Sequence, residues 1–350
     1  MKIVIDCRMI ASSGIGSYIV NIVPFIINKF KVYLLGDREK IRKFLSVEDE
    51  KIIDFNTNIY TLTEQLLYPV KIYSCDIFWS PHYNIPLLPI KAKKLMVTIH
   101  DVYHLAFKNT LTLKQKLYAD LMFYVATRKP DIILTDSNFS KKEIIKYTKT
   151  SKNIEVVYNA VDEKLFFSSD NVSKEDYILY VGNIKPHKNL IRALEAFSLI
   201  KNSKLKFKIV GKYENFITFD KKAIEKINNN SERVELTGYV DNDKLRYLYQ
   251  KAKLLLFPSL YEGFGLPPLE AMACGCPCVV SNVASLPEVC GDAAYYVDPY
   301  SVENIAEGIE KVLADESLRQ DLIRKGFENI KRFSWEKSAN KIIEIIESLK

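Results

Sequence analysis

The sequence predicts two doubly wound α/β units in one chain. Three observations carry that reading. Its 350 residues exceed what one hydrophobic core usually serves. Short apolar runs that end in polar residues or glycine alternate with segments of helical spacing along the whole length. The alternation breaks off in one polar stretch at 166–176, FFSSDNVSKED, and then begins again.

The first unit is expected over 1–165. KIVID, KVYLLGD, IFWSP, LMVTIH, IILTDS and IEVVYN read as its buried parallel strands. TLKQKLYADLMFYVATRK and SKKEIIKYTK read as helices between them. The second unit is expected over 172–335. Its strands are YILYVGN, LKFKIVGK, VELTGYV, AKLLLFPS, CPCVVSN and AAYYVD, with helices NLIRALEAFSLIK, NDKLRYLYQKA and PPLEAMACG. The tail at 336–350 is helical, with a stripe of Ile342, Ile343, Ile345, Ile346 and Leu349. Sheets of this kind bind ligands outside the carboxyl ends of their strands, so the loops after strands are where chemistry is sought.

Composition narrows the field. The net charge is +7 with 43 acidic residues interspersed and no Lys/Arg tail, which disfavours a dedicated nucleic-acid binder. A mild basic balance suits phosphorylated substrates or an anionic membrane surface. The opening MKIVIDCRMI reads as a strand rather than a leader, and no apolar run reaches the length that spans a bilayer. A cytoplasmic protein is expected, with peripheral contact at the membrane's inner face left open. The helix at 112–129 mixes Lys114, Lys116, Arg128 and Lys129 with Leu113, Leu117, Leu121 and Met122. An acidic membrane surface would suit it, but an ordinary half-buried helix explains it better. Cys274, Cys276 and Cys278 alternate around a helix-to-strand turn and read as small buried thiols rather than metal ligands.

The most informative stretch is PSLYEGFGLPPLEAMACGCPCVVSN, at 258–282. Gly263 and Gly265 free the backbone for close approach to a ligand. Pro267 and Pro268 suit a first helical turn, whose N-terminal dipole favours a pyrophosphate. Glu262 precedes the glycines, and Glu270 is expected in that first turn. A carboxylate accepts two hydrogen bonds and so can hold a vicinal diol of a ribose or a sugar. A plain acidic helix cap needs neither the two glycines nor the second glutamate.

The stretch resembles family 4 of the retaining glycosyltransferases. Glu262 and Glu270 stand at that family's E-x7-E spacing, and EGFGLPPLEAMACG followed by VVSNVASLPEV is close to its wording. The resemblance implies GT-B: two Rossmann-like domains facing a central cleft, with the C-terminal helix crossing back to the N-terminal domain. It implies an acceptor-binding domain at 1–165 with 336–350, and a nucleotide-sugar donor-binding domain at 172–335. It implies that Glu262 meets the donor sugar's hydroxyls with Gly263, Phe264, Gly265 and Leu266, and that Glu270 meets the ribose. No cofactor and no metal are expected at the diphosphate.

Other positions take their roles from the same resemblance. VGNIKPHKN is similar to the family's phosphate-binding loop, which places Gly182, Asn183 and Lys188 at the donor. Asn183 stands where arginine is commonest in the family. Gly14 and Gly16, in SSGIGSYIVN, form a flexible loop opposite the donor phosphates. A nicotinamide reading of that loop, with Asp37 as the ribose acid, lacks the third glycine, because Ile19 stands there. Tyr239, after VELTG, joins the donor wall. His100 ends a strand near the reacting sugar, with Asp101 beside it and His82 and Tyr83 on the acceptor wall; Trp79 and Tyr83 either stack on a sugar or pack. His100, Glu262 and Lys188 are the expected catalytic set. Asp241, in Asp241-Asn242-Asp243, is a helix cap rather than a metal ligand.

The opening IDCRMI followed by SGIGSYI resembles bacterial mannosyl- and rhamnosyltransferases of polysaccharide assembly. GDP-mannose is the first donor expected, then UDP- or dTDP-sugars, with a glycan or lipid-linked glycan as acceptor. A GT-B nucleotide-sugar epimerase and a non-catalytic sugar-binding relative stay open beside that reading.

Overall fold

The computed structural model describes residues 1–169, 172–211 and 232–349, so Asp170, Asn171 and Lys350 of the expected connector and tail lie outside the description. The chain divides into two compact units, Met1–Asn159 with Ser334–Lys350, and Ala160–Phe333.

In the first unit, β1 (Lys2–Asp6), α1 (Ser13–Lys29), β2 (Lys31–Gly36), α2 (Arg38–Phe44), β3 (Ile52–Asp54), α3 (Leu62–Lys71), β4 (Cys75–Ser80) and β5 (Ala92–Thr98) follow in order. Then come α4 (Tyr103–Ala106), α5 (Leu113–Ala126), β6 (Ile132–Thr135), α6 (Asn138–Thr148) and β7 (Ile154–Val156). The seven strands form one parallel sheet in the order β3-β2-β1-β4-β5-β6-β7. The central strands are largely buried on both faces, β1 and β6 through Ile, Val and Leu and β4 through Ile77, Phe78 and Trp79, as a doubly covered parallel sheet requires. Helix starts are fixed by side-chain caps. Thr61 accepts from the Glu64 N–H, Thr112 and Gln115 form a capping box, and Ser137 accepts from the Ser140 N–H.

The second unit contains β8 (Tyr177–Val181), α7 (Leu190–Leu199), β9 (Lys206–Val210), β10 (Val234–Gly238), α8 (Asn242–Lys251) and β11 (Leu254–Phe257). It continues with α9 (Leu266–Ala273), β12 (Cys278–Ser281), α10 (Leu286–Cys290), β13 (Ala294–Val297), α11 (Val302–Ala314) and α12 (Glu316–Ile330). Its parallel sheet runs β10-β9-β8-β11-β12-β13. Both sheets therefore reverse strand order at one place, between β1 and β4 in the first and between β8 and β11 in the second. In doubly wound sheets that crevice is the usual ligand address.

The last helix, α13 (Trp335–Ser348), belongs to the first unit. Trp335 meets Tyr18 of α1 edge-on with ring centroids 6.2 Å apart, and the Ser338 hydroxyl donates to the Tyr158 carbonyl. The boundaries fall earlier than the sequence reading put them. Leu165 goes with the second unit because its carbonyl accepts from Arg246 of α8 at 3.0 Å, while the neighbouring Phe166 ring packs on Tyr249.

One local expectation is corrected. Gly14 and Gly16 lie in the first turns of α1, not in a loop. Gly16 is required there by close approach, since a Cβ would stand 2.4 Å from the Ile10 carbonyl oxygen. Helix α5 is half-buried as expected, but its leucines are on the outer side. Ala119, Met122, Phe123 and Ala126 face the core, while Leu113, Leu117, Leu121 and Tyr124 are exposed. The six cysteines are all buried and free, and burial pushes their thiols up, Cys276 to about 11.

Candidate active site

The second unit's crevice is built by the loops after β8 and β11. After β8 the chain passes Gly182, Asn183 and Lys185 into a short 3₁₀ turn, Pro186–Lys188. Asn189 then takes a left-handed conformation, φ 61°, and starts α7. Its side-chain amide donates to the carbonyls of Pro258 and Pro299 at 3.0 and 2.7 Å, which ties the β8 loop to the β11 loop and explains the conformation. The Leu260 N–H adds a second tie, donating to the His187 carbonyl at 2.7 Å.

These ties bring Lys188 to Glu262. The ammonium donates to both carboxylate oxygens, at 2.7 and 2.9 Å, and both side chains are largely buried. The nitrogen also lies 5.4 Å from the centre of the Phe257 ring. The Glu262–Gly265 loop is held from below. Ser285, fully buried, donates its hydroxyl to the carbonyls of Glu262 and Phe264 at 3.0 and 2.7 Å. The Phe264 ring packs edge-on against Phe333.

Gly265 has φ +110° and caps α9, and a Cβ there would stand 2.8 Å from a Leu286 methyl. Helix α9 begins at Leu266, one residue earlier than expected, so Glu270 falls just past the first turn, which holds no acidic residue. Pro267 and Pro268 carry no N–H, so the donors at this end are those of Gly265 and Leu266. The Tyr249 hydroxyl of α8 donates to Glu270 at 2.9 Å. Burial pushes the Glu270 carboxyl up to about 7, against the pull of that hydrogen bond. Tyr239 is 72% exposed beyond β10, and the Asp241 carboxylate caps α8 by accepting from the Lys244 N–H at 2.8 Å.

In the first unit His100 follows β5. Its Nδ1 is 2.7 Å from Asp136 Oδ2, and its Nε2 is 3.0 Å from the Pro81 carbonyl oxygen. A carboxylate on one nitrogen and a carbonyl on the other both favour a donating ring, so the surroundings stabilise its protonated form. Burial works against that charge, but Asp136 outweighs it and the ring's pKa is raised. Asp101 closes a local turn by accepting from the Tyr103 N–H. His82 is the opposite case. Its Nδ1 accepts from the Asn84 N–H at 3.2 Å, and burial holds its pKa well below the ordinary value, so the ring is neutral. Tyr83 takes the packing alternative rather than an open position. It is buried and stacks on Phe123 at 4.3 Å, and Trp79 is buried with its indole N–H on Thr98.

Sequence reasoning missed a buried cluster at the carboxyl end of β1. The Arg8 guanidinium donates through Nε and Nη2 to Asp6 at 2.9 and 2.7 Å, and through Nη1 to Glu64 at 2.6 Å. It lies against the rings of both Phe55 and Tyr68, at 4.8 and 4.9 Å from their centres. The other Glu64 oxygen accepts from the Tyr60 N–H and the Asn84 amide, at 2.7 and 2.8 Å. Asp6, Arg8, Met9, Pro81 and His82 line a small cavity between β1 and β4, the place where strand order reverses. The available signal was the pair Asp6 and Arg8 placed directly after a buried strand.

Comparison with known proteins decides the family. Residues 161–329 match the model for glycosyl transferases group 1. This stretch is a glycosyl transferases group 1 domain. The chain is 29% identical to the O-antigen chain mannosyltransferase B of Escherichia coli over 311 residues, which is 81% of this chain and 79% of that protein. The chain is a glycosyltransferase. It superposes on the sucrose-phosphate synthase of Thermosynechococcus elongatus with a TM-score of 0.83 and 17% identity, covering 100% of this chain and 99% of that one. A second solved structure, HepE of Anabaena in complex with UDP-glucose, matches with a TM-score of 0.77 and 15% identity, over 99% of this chain and 100% of that one. At such identities the likeness is one of fold, and the fold is GT-B. The group 1 domain contains the Lys188–Glu262 pair, Gly265 and Glu270, whereas His82, His100 and Asp101 lie outside it.

Proposed function

We propose that the enzyme transfers a hexose, mannose first, from a nucleoside-diphosphate donor bound by the second unit to a glycan or lipid-linked glycan bound by the first. The Lys188–Glu262 pair at the β8/β11 crevice supports this most directly. It holds a cation and a diol-binding carboxylate side by side, which is what a sugar diphosphate needs. Lys188, with the amides at the start of α9, stabilises the charge that grows on the leaving diphosphate. Glu262 accepts from the sugar hydroxyls, and Glu270 from the ribose. Gly14 and Gly16 serve the phosphates from α1, while His100 and Asp101 serve the acceptor. Configuration is retained by same-face displacement. The bond from the anomeric carbon to the diphosphate oxygen breaks, the acceptor oxygen bonds to that carbon, and its proton passes to the departing phosphate.

GDP-mannose is the first donor in this reading because the E. coli relative is named a mannosyltransferase. UDP-glucose is second because the HepE structure contains it. The test incubates the enzyme with labelled GDP-mannose, UDP-glucose and dTDP-rhamnose, each with a lipid-linked glycan fraction, and reads label in the lipid phase. Transfer from GDP-mannose alone, with the anomeric configuration kept, is the expected result. Donor turnover to an epimer without any acceptor would replace this reading, and so would a trapped glycosyl-enzyme adduct for its mechanism.

A further inference from the structure

Two helices of the first unit present apolar residues to solvent at the same spacing. On α3 these are Leu62, Leu66 and Val70, with Leu62 83% exposed. On α5 they are Leu113, Leu117, Leu121 and Tyr124, with Leu113 72% exposed. The α3 residues recur at intervals of four and those of α5 at four, four and three, which places each set on one stripe of its helix. Neither stripe is required by the fold, because each helix buries a different face in one shared core: Tyr68 from α3, and Ala119, Met122, Phe123 and Ala126 from α5. A soluble surface scatters such residues singly, and seven in two rows mark a binding surface.

The rows are neighbours. Tyr60, just before α3, meets Tyr118 of α5 edge-on at 5.7 Å. The loop at 84–88 joins the two helices. Gln65 of α3 accepts from the Leu87 N–H at 2.8 Å, and Lys129, beyond α5, donates to the carbonyls of Pro86, Leu87 and Leu88. Leu88 is itself exposed, so the apolar surface continues across the seam.

We infer that this face docks on an anionic lipid bilayer. The charge around the leucines selects that occupant. Lys71, Lys114 and Lys116 lie on the same helices, and of the two acids there Glu64 is buried on Arg8 and Asp120 is paired with Lys108. Leucines flanked by lysines match the acyl and anionic layers of a membrane surface, with the lysine stems lying along the apolar stripe. A second copy of the chain fits less well, because a two-fold contact would set one lysine rim against its twin. Among the described residues no helix is long and apolar enough to cross a membrane, so attachment by this face is peripheral. The inference does not depend on which sugar is transferred.

The test is sedimentation of the whole chain with vesicles of phosphatidylcholine alone and of phosphatidylcholine mixed with phosphatidylglycerol. Wild type is expected to pellet with the anionic vesicles and to be partly released by salt. The double variant Leu66→Asp/Leu117→Asp is expected to lose roughly tenfold or more of that binding. Both changed residues are solvent-exposed, so the melting temperature should hold. Leu199→Asp, at an exposed leucine of the second unit, is expected to bind as wild type does. The inference is overturned if wild type stays in the supernatant with both lipids, or if the double variant pellets as wild type does. It is also overturned if, without vesicles, wild type is a dimer that the double variant splits.

Discussion

Lys188 and Glu262, 74 residues apart in the chain, meet through both carboxylate oxygens of the glutamate, which ties the β8 loop to the β11 loop by charge. Burial makes each charge depend on the other. Lys188→Met and Glu262→Gln should each destabilise the protein by about 1–3 kcal/mol by leaving a partner unpaired. The double variant should cost less than the sum, read by urea unfolding. Strictly additive costs would mean that the two charges do not interact in solution.

Glu270 should make stability pH-dependent in a direction opposite to an ordinary surface carboxylate. Its folded value, about 7, is above the unfolded value of about 4.3. Between those limits the folded state binds more protons, so stability falls as pH rises towards 7. Glu270→Gln lacks that loss. Its melting temperature should gain on wild type as pH goes from about 5 to about 8. A constant difference over that range would show that the carboxyl is not held up by burial.

His100 acts in the other sense. Its raised value means that the contact with Asp136 is fully present below the unfolded value of about 6.5 and is lost as pH rises through the folded one. His100→Gln should therefore be most damaging in acid, with the gap to wild type closing on the alkaline side. Thermal melts of the two proteins across that range check this. A gap that widens with pH would indicate a neutral ring.

Arg8 holds two buried carboxylates, Asp6 and Glu64. Arg8→Met should cost about 3–5 kcal/mol because it strands both charges. Arg8→Lys should restore little, since one ammonium cannot reproduce the fork that spans both acids. Chemical denaturation of the two variants distinguishes these effects, and full rescue by lysine would reduce the cluster to charge alone.

The glycines of α1 separate space from flexibility. A Cβ at Gly14 meets nothing within 4 Å, so Gly14→Ala should be neutral or stabilising by up to about 1 kcal/mol. Gly16→Ala drives a methyl into backbone and should lower the melting temperature well below that of Gly14→Ala. Equal effects would mean that the Ile10 carbonyl yields freely.

What was legible in the sequence followed from how locally the chemistry is encoded. The strands are contiguous apolar runs, and Glu262, Gly265 and Glu270 fall within one short segment marked by glycines and prolines. The Asp241 cap was legible for the same reason. Pairings over long separations were not. Glu64 looks like a first-turn acid of α3, and only the fold shows it 56 residues away on Arg8. Helix α5 carries apolar residues on two sides, so spacing could not say which row faces inward. Tyr83 lies among strand-end aromatics whose direction depends on the position of Phe123. The start of α9 was set one residue late because Leu266 precedes the prolines that normally open a helix.

The most direct test of the account is titration calorimetry of GDP-mannose and UDP-glucose on wild type, Lys188→Ala and Glu270→Ala. The account predicts that wild type binds at least one of them, and that both variants lose about tenfold or more in affinity while keeping their fold. A wild type that binds neither nucleotide sugar, or variants that bind as tightly as wild type, would contradict it.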